Sequence, residues 1–565
     1  MLATTAYTYE VRVRRGDRWI IHATYNTDKE ATVEAENVLR GKVSAVRVIR
    51  DWEREDGRHI EKVLFEKEGS GEADKDPVRV TAIEDAALCE TDEDLLGVES
   101  RATINRLLRK YFEQEVLTPT EVMYNFKNLR KLMYHDTLLP SAVDRVATIH
   151  SRTTEGNHIE ASNKLHRAID TLAARARQVE KYDLPQFEDA TIAEVRREIQ
   201  SLRLAEDTDF LTMVALTREL SSSRSWIGKL DFAMKVKGDA KDNHARAMVD
   251  DIVADILGSP VALKDLLGPS RSFGDAVLLH IDLAMGKATG NRGAAQDVLD
   301  LLNPLFSARL LPKAQFVLFD HIARELKSPN ALSRHDDDAQ LLVQILDRLL
   351  NADGVVFGQP MVEALVERGA RVRNVGGSRA FGEGVEEIVG CLAPGWRRLA
   401  FLSDVAQNES AANIQPELTA LTRKTVGDMR GLRAFCGPQA KPREKMALVT
   451  RMHEKVVHSN FVEDLKHHLS EKLDSGLADY LTREKVIERI DNPALHLRQR
   501  AYMLIKFCSS GVLIEGKSAM MARKRVVSYL RQPNFTDHLV DDLQDSSEKE
   551  GILRDFYALL QRSGF

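Results

Sequence analysis

Hydrophobic and polar residues alternate at the start of the chain and then stop alternating. Tyr7, Tyr9, Val11 and Val13 are interleaved with Thr8, Glu10, Arg12 and Arg14, the period-2 pattern of a half-buried strand. Arg15-Gly16-Asp17 supplies a turn, and Trp19 to Tyr25 reads as the partner strand. Thr27 and Glu30 form a capping box, in which each side chain satisfies the other's backbone N–H. They open a helix that ends near Gly41, and Val43 to Arg50 and His59 to Glu66 give two more strands around Asp56-Gly57. The pattern predicts a small ββαββ module over residues 1–68.

From about residue 100 the period changes to that of helices. Val122, Phe126, Leu129 and Met133 form an i, i+4, i+7, i+11 stripe behind a capping box of Thr118 and Glu121, with Pro119 at the first helical position. Leu342, Ile345, Leu346, Leu349 and Leu350 fit the helical template, as do Ile552, Phe556, Leu559 and Leu560 near the end. Short breaks such as Gly258-Ser259-Pro260, Ser328-Pro329 and Asp491-Asn492-Pro493 separate the stripes. Connections this short fold consecutive helices back as antiparallel hairpins. The expected fold class is mainly α: the ββαββ module, then a long array of helical hairpins, α-solenoid-like or in stacked bundles. Leu481 to Pro533 is similar in architecture to HEAT-type helix pairs, but no fixed period extends that likeness along the chain.

Charge divides the chain further. Residues 69–99 carry ten acidic and two basic side chains, a composition that buries little and repels itself, so a flexible linker is expected. Residues 354–395 hold nine glycines in 42 residues, which points to a hinge or to long loops between helical blocks. The resulting plan is a module at 1–68, a linker at 69–99, a helical array at 100–353, a Gly-rich hinge or loops at 354–395 and a C-terminal helical block at 396–565. Gly268 to Val277 is echoed by Gly376 to Val385 with six identities in ten; a shared turn-and-cap solution accounts for it.

Composition narrows the function classes. A net charge of -6 argues against a chain-wide nucleic-acid footprint. Within residues 1–68 the 13 basic and 13 acidic side chains cancel, which weakens the likeness of strand, strand and capped helix to small modules that grip DNA with a sheet. Cys89, Cys391, Cys436 and Cys508 form no C-x-x-C pair, consistent with a reducing compartment. The N-terminus lacks the layout of a secretion signal, and no apolar run reaches the ~20 residues that span a bilayer. A cytoplasmic chain without membrane insertion is the expectation.

The candidate chemistry begins with Gly511-Val512-Leu513-Ile514-Glu515-Gly516-Lys517-Ser518, which satisfies the phosphate-loop pattern G-x-x-x-x-G-K-[ST]. Such a loop needs a buried strand before it, a helix N-terminus after it and a later strand bearing a magnesium-binding Asp. No such strand follows, and Val, Leu, Ile and Glu fill the variable positions. A helix from Ala494 to Ser510 closed by Gly511 is therefore expected, with Val512 and Leu513 as the apolar contact after the cap and a second helix from about Ser518. His453 and His458 lie five residues apart, about 140° apart on a helix rather than on one face as in H-E-x-x-H. His150, His158 and His166 read as scattered surface residues, and Arg334-His335-Asp336-Asp337-Asp338 as a helix cap. Between residues 483 and 531 there are eleven basic and four acidic side chains. Lys517, Arg523, Lys524 and Arg525 could make a basic ridge for an acidic partner.

No cofactor is expected. The leading expectation is a non-enzymatic cytoplasmic scaffold or regulatory adaptor with a protein partner. The alternatives are a nucleotide-binding regulator using Gly511, Gly516, Lys517 and Ser518, and a nucleic-acid binder using the C-terminal ridge.

Overall fold

The computed structural model describes the chain except residues 1–6, 16–17, 40–44, 54–58, 69–77, 136, 239–241, 291–292, 334–337, 374–375, 428–430 and 564. The turns expected at Gly16-Asp17 and Asp56-Gly57, the helix end at Gly41, the first linker residues and Asp336-Asp337 lie outside the described residues. The chain forms two compact units, residues 1–80 and 81–565.

The first unit is the ββαββ module. Strands β1 (Thr8–Arg15), β2 (Arg18–Tyr25), β3 (Ala45–Glu53) and β4 (His59–Glu68) form one antiparallel sheet in the order β2-β1-β3-β4. Helix α1 (Asp28–Leu39) is the crossover between β2 and β3, which flank β1. Its first turn closes as expected: the Glu30 N–H donates to Thr27 Oγ1 at 3.4 Å, and that hydroxyl donates to Glu30 Oε2 at 2.8 Å. Val11 lies opposite Val48 and Val13 opposite Val46; these four pack with Ala31 and Ala35 of α1 as the core. Arg12, on the opposite face, is clasped by Glu10 and Glu61, so this central cation is engaged at home.

The second unit is helical apart from two 3₁₀ turns and a two-residue strand pair, Leu350–Asn351 with Gly354–Val355, among the described residues. Packing is handed along the chain. The Asn243–Leu257 helix packs on Pro312–Lys327, that helix on Gln359–Val372, and that on Gly395–Val405. Gly395–Val405 then meets Pro442–Val457, which pairs with Glu463–Arg483, which packs on Lys517–Leu530. A separate apolar cluster, with Leu504, Ile505, Val526, Leu539 and Phe556 at its centre, holds the last helices together.

The path of the chain departs from the sequence expectations in several places. Residues 81–99 are not a flexible linker. Ile83, Cys89 and Leu95 are buried, the Thr81 N–H donates to the Leu107 carbonyl at 2.8 Å, and Arg106 and Arg324 both hold the Asp85 carboxylate. A few apolar anchors and one doubly paired acid outweigh the acidic composition. Second, the Gly-rich stretch is no hinge. Most of it forms two helices, Gln359–Val372 and Ala380–Cys391, packed closely on each other. A Cβ on Gly369 would sit 2.7 Å from the Gly384 carbonyl oxygen, and one on Gly384 would overlap that of Val366. The glycines bring two helix backbones together rather than loosening them.

Third, the stripe from Val122 to Met133 is broken. Asn125 leaves helical geometry, ends Pro119–Tyr124 and caps Phe126–Met133 through the Lys127 N–H at 3.1 Å. This rotates the second helix so that Leu132 is buried and Met133 is exposed. The Thr118–Glu121 capping box itself is present. The echoed segments each lead into a helix, Phe273–Ala284 and Ala380–Cys391, but by different turns. The positive-φ glycines, Gly268 and Gly377, are not at equivalent positions. Ser272 caps its helix through the Asp275 N–H at 3.0 Å, whereas its counterpart Ala380 already lies in the helix, after a 3₁₀ turn. The shared turn-and-cap solution expected from the sequence is therefore not adopted. No helix among the described residues is long and apolar enough to cross a membrane.

Candidate functional site

The phosphate-loop pattern folds as a helix–turn–helix. Tyr502 to Cys508 belong to the Leu497–Cys508 helix, Gly511 turns the chain with φ +69°, and Lys517–Leu530 is the next helix. Val512 and Ile514 are buried in the turn, and Leu513 packs on the C-terminal core. The first N–H groups of the Lys517–Leu530 helix point where a phosphate would sit, but Asp474 of the Glu463–Arg483 helix is already there. Its carboxylate accepts from the Lys517 N–H at 2.5 Å, the Ser518 N–H at 2.9 Å and Ser518 Oγ at 2.6 Å. A Cβ on Gly516 would overlap that carboxylate, so Gly516 serves an internal anion. The Lys517 ammonium reaches sideways to Ser475 Oγ at 3.0 Å and Glu471 at 3.4 Å.

Asp474 is one of a set. On the Asn243–Leu257 helix, Asp250 accepts from the Lys313 and Ala314 N–H groups, both at 2.9 Å, at the start of Pro312–Lys327. Asp255 accepts from Thr120 N and Oγ1 at 2.7 and 2.6 Å at the start of Pro119–Tyr124, and from Arg101 Nε at 2.9 Å. Each clasp puts a negative charge at the positive end of a helix dipole and fills donors that the helix itself leaves open. Burial pushes the Asp250 carboxyl up to about 6, against the backbone donors that favour its charged form. In the same region Lys229 and Glu121 form a fully buried ion pair; burial holds the Lys229 ammonium below its ordinary range against the pull of Glu121.

The proposed basic ridge is largely neutralised. Arg523 forks onto Glu515 at 2.7 and 2.6 Å. Arg525 donates to the buried Asp491 carboxylate at 2.5 Å, which Arg500 also holds at 2.7 Å. Lys524 is exposed. Of the histidines singled out by spacing, His150 is buried with Nε2 2.8 Å from the Ala87 carbonyl, so it is a core residue, not a surface one. His158 begins its own helix after the break at Gly156-Asn157. His453 lies within Pro442–Val457, and His458 stands at that helix's C-terminal end with Nδ1 2.7 Å from the Glu454 carbonyl. Burial raises all four thiols, Cys89 to about 12, which leaves them poor nucleophiles. Cys89 borders an apolar cavity of about 100 Å³ lined by Leu107, Phe112, Val122, Leu132 and Val146 among others.

The convergence that spacing alone did not reveal lies between Phe273–Ala284 and Pro312–Lys327. His280 Nδ1 is 2.8 Å from Glu325 Oε2, and His321 Nε2 is 3.4 Å from Glu325 Oε1. The two imidazole centroids are 5.3 Å apart. All three side chains are mostly buried, with 12 to 22% of their surface open. Burial alone would raise the Glu325 carboxyl; hydrogen bonds from His280 and His321 outweigh it and bring it down to about 2. His321 and Glu325 sit at i and i+4, a pair the sequence could have disclosed, while His280 arrives only through helix packing. A second cluster, His496, Asp541 and Asp542, is more exposed, and one of its carboxylates is already engaged: Arg498 forks onto Asp542 at 2.8 and 2.5 Å.

Compared with protein-family models, curated proteins and solved structures, the chain matches none.

Proposed function

We propose that this chain works as a non-enzymatic cytoplasmic scaffold or regulatory adaptor, with the helical body as a protein-binding surface and the ββαββ module as a second contact. The observation that carries the reading is the handing over of packing from helix to helix between Asn243 and Leu530. Arrays built this way stabilise each element mainly through its neighbours and offer long faces to partners. Exposed apolar side chains on the body, Tyr134, Ile159 and Met520, and Ile20, Ile21 and Val63 on the module, are of the kind that anchors protein contacts. The nucleotide reading ranks lower because Asp474 fills the helix N-terminus that a phosphate needs. The nucleic-acid reading ranks lower because Arg523 and Arg525 are paired within the chain.

The test is capture of the tagged full chain from its own cells, followed by cross-linking mass spectrometry of what is retained. A protein recovered at constant stoichiometry, cross-linked to the helical body and rebinding as a purified component, is the expected result. Recovery of nucleic acid alone, or loss of every partner at high salt, would overturn the reading.

A further inference from the structure

The His280–His321–Glu325 cluster has a property that neither the scaffold reading nor the ion-pair network requires. Two imidazoles and one carboxylate, each able to give one ligand atom, have those atoms within 4.8 Å of one another. A tetrahedral zinc ion with bonds of about 2.0–2.2 Å sets its ligand atoms roughly 3.3 Å apart. His280 Nδ1 lies 2.8 Å from one oxygen of Glu325 and His321 Nε2 3.4 Å from the other, so each imidazole already stands about one ligand spacing from the carboxylate it would share an ion with. From this geometry we infer that His280, His321 and Glu325 bind a divalent transition metal, zinc being the best match, and so pin the Phe273–Ala284 helix to Pro312–Lys327.

The donor set agrees with the choice of ion. Imidazole nitrogen suits zinc, copper, iron and nickel, whereas magnesium and calcium take oxygen ligands. Three protein donors leave one position for water or for a group from a partner, and the partial exposure of all three side chains gives solvent a route to it. The ligands stand on rigid supports. Their neighbours Ile281, Ile322 and Leu326 are fully buried, and the end of the second helix is fixed by Arg368. That guanidinium donates to the carbonyls of Glu325, Leu326, Ser328 and Asn330 at 2.7 to 3.0 Å. Ligand rotamers held by a packed shell lower the cost of assembling a metal site. The flanking acids are engaged elsewhere, Asp282 by Arg348 and Asp320 by Arg324, so Glu325 is the carboxylate left facing the two imidazoles.

The experiment uses the purified full chain stripped with chelator and titrated with zinc alone, in competition with a chromophoric chelator. One equivalent is expected to bind, and X-ray absorption of the loaded protein should show two imidazoles with nitrogen and oxygen donors. The double variant His280→Asn/His321→Asn, checked by circular dichroism, should bind at least about a hundredfold more weakly, beyond the 10–100-fold that loss of an outer-shell partner costs. His496→Ala should bind as the parent does. The inference is overturned if the parent takes up no zinc, if the absorption spectrum lacks imidazole scattering, or if binding persists at parental strength in the double variant, whether or not His496→Ala still binds. The absorption spectrum needs no variant, so a misfolded double variant would not rescue the idea.

Discussion

At the start of the Lys517–Leu530 helix a phosphate-loop pattern is satisfied at every fixed position, yet its donors hold a carboxylate of the same chain. Between Phe273–Ala284 and Pro312–Lys327 the sequence offers only the i, i+4 pair of His321 and Glu325, yet two imidazoles and a carboxylate converge there, each partly exposed. The difference lies in what a third element delivers. Asp474 comes from the Glu463–Arg483 helix, about forty residues upstream, and closes the first place; His280 comes from a separate helix and completes the second. A motif specifies residue types and spacing along one segment. Whether that segment is a site depends on which charged group packing brings to it.

The heaviest loss is expected where an internal acid closes a helix end. Asp255 serves both the first turn of Pro119–Tyr124 and the buried Arg101 guanidinium. Asp255→Ala leaves Thr120 without an acceptor and Arg101 with Asp251 as its remaining acid. Removing one partner of a buried ion pair typically costs about 3–5 kcal/mol, and that fall is expected in the first transition of urea unfolding. A change below about 1 kcal/mol would mean that the clasp is ornamental and that helix ends here do not need an internal anion.

Asp474→Ala should cost less, about 1–3 kcal/mol, the usual penalty for orphaning buried neutral donors. It also reopens the place a phosphate would take. Inorganic phosphate at millimolar concentration is therefore expected to raise the melting temperature of the variant and not that of the parent. If phosphate stabilises both equally, or neither, the N-terminus of Lys517–Leu530 is not an anion seat waiting to be vacated, and its likeness to a phosphate loop is confined to the letters.

The same contrast accounts for which features are legible in the sequence. The strand alternation from Tyr9 to Val13 and the Thr27–Glu30 box are legible because both are local: one depends on period 2, the other on residues three apart. So is the helical character of the body. The Gly-rich stretch misleads because composition cannot distinguish a glycine that frees a loop from one, such as Gly369, that lets two helix backbones meet. The acidic stretch misleads because Asp85 finds Arg324 across 239 residues. The proposed zinc ligands are half legible: His321 and Glu325 share a helix face at i and i+4, but nothing near His280 points to them.

Lys517→Ala is the mildest of these substitutions and discriminates most sharply. In a working phosphate loop the lysine is the charge that holds the outer phosphates, so its loss abolishes binding. Here the Lys517 side chain is 58% exposed and its acidic partner, Glu471, lies 3.4 Å away on the surface; a pair of that kind contributes under about 0.5 kcal/mol. Lys517→Ala should therefore leave stability almost unchanged and leave equilibrium binding of ATP and GTP with magnesium as it is in the parent, at background. Because Asp474 bonds to the backbone N–H of residue 517 and not to its side chain, the clasp survives the substitution, and the variant separates the lysine's charge from the helix end. Magnesium-dependent nucleotide binding by the parent that vanishes in Lys517→Ala would show that the Asp474 carboxylate gives way to a triphosphate. The loud motif would then be the site, and the contrast drawn between the two places would collapse.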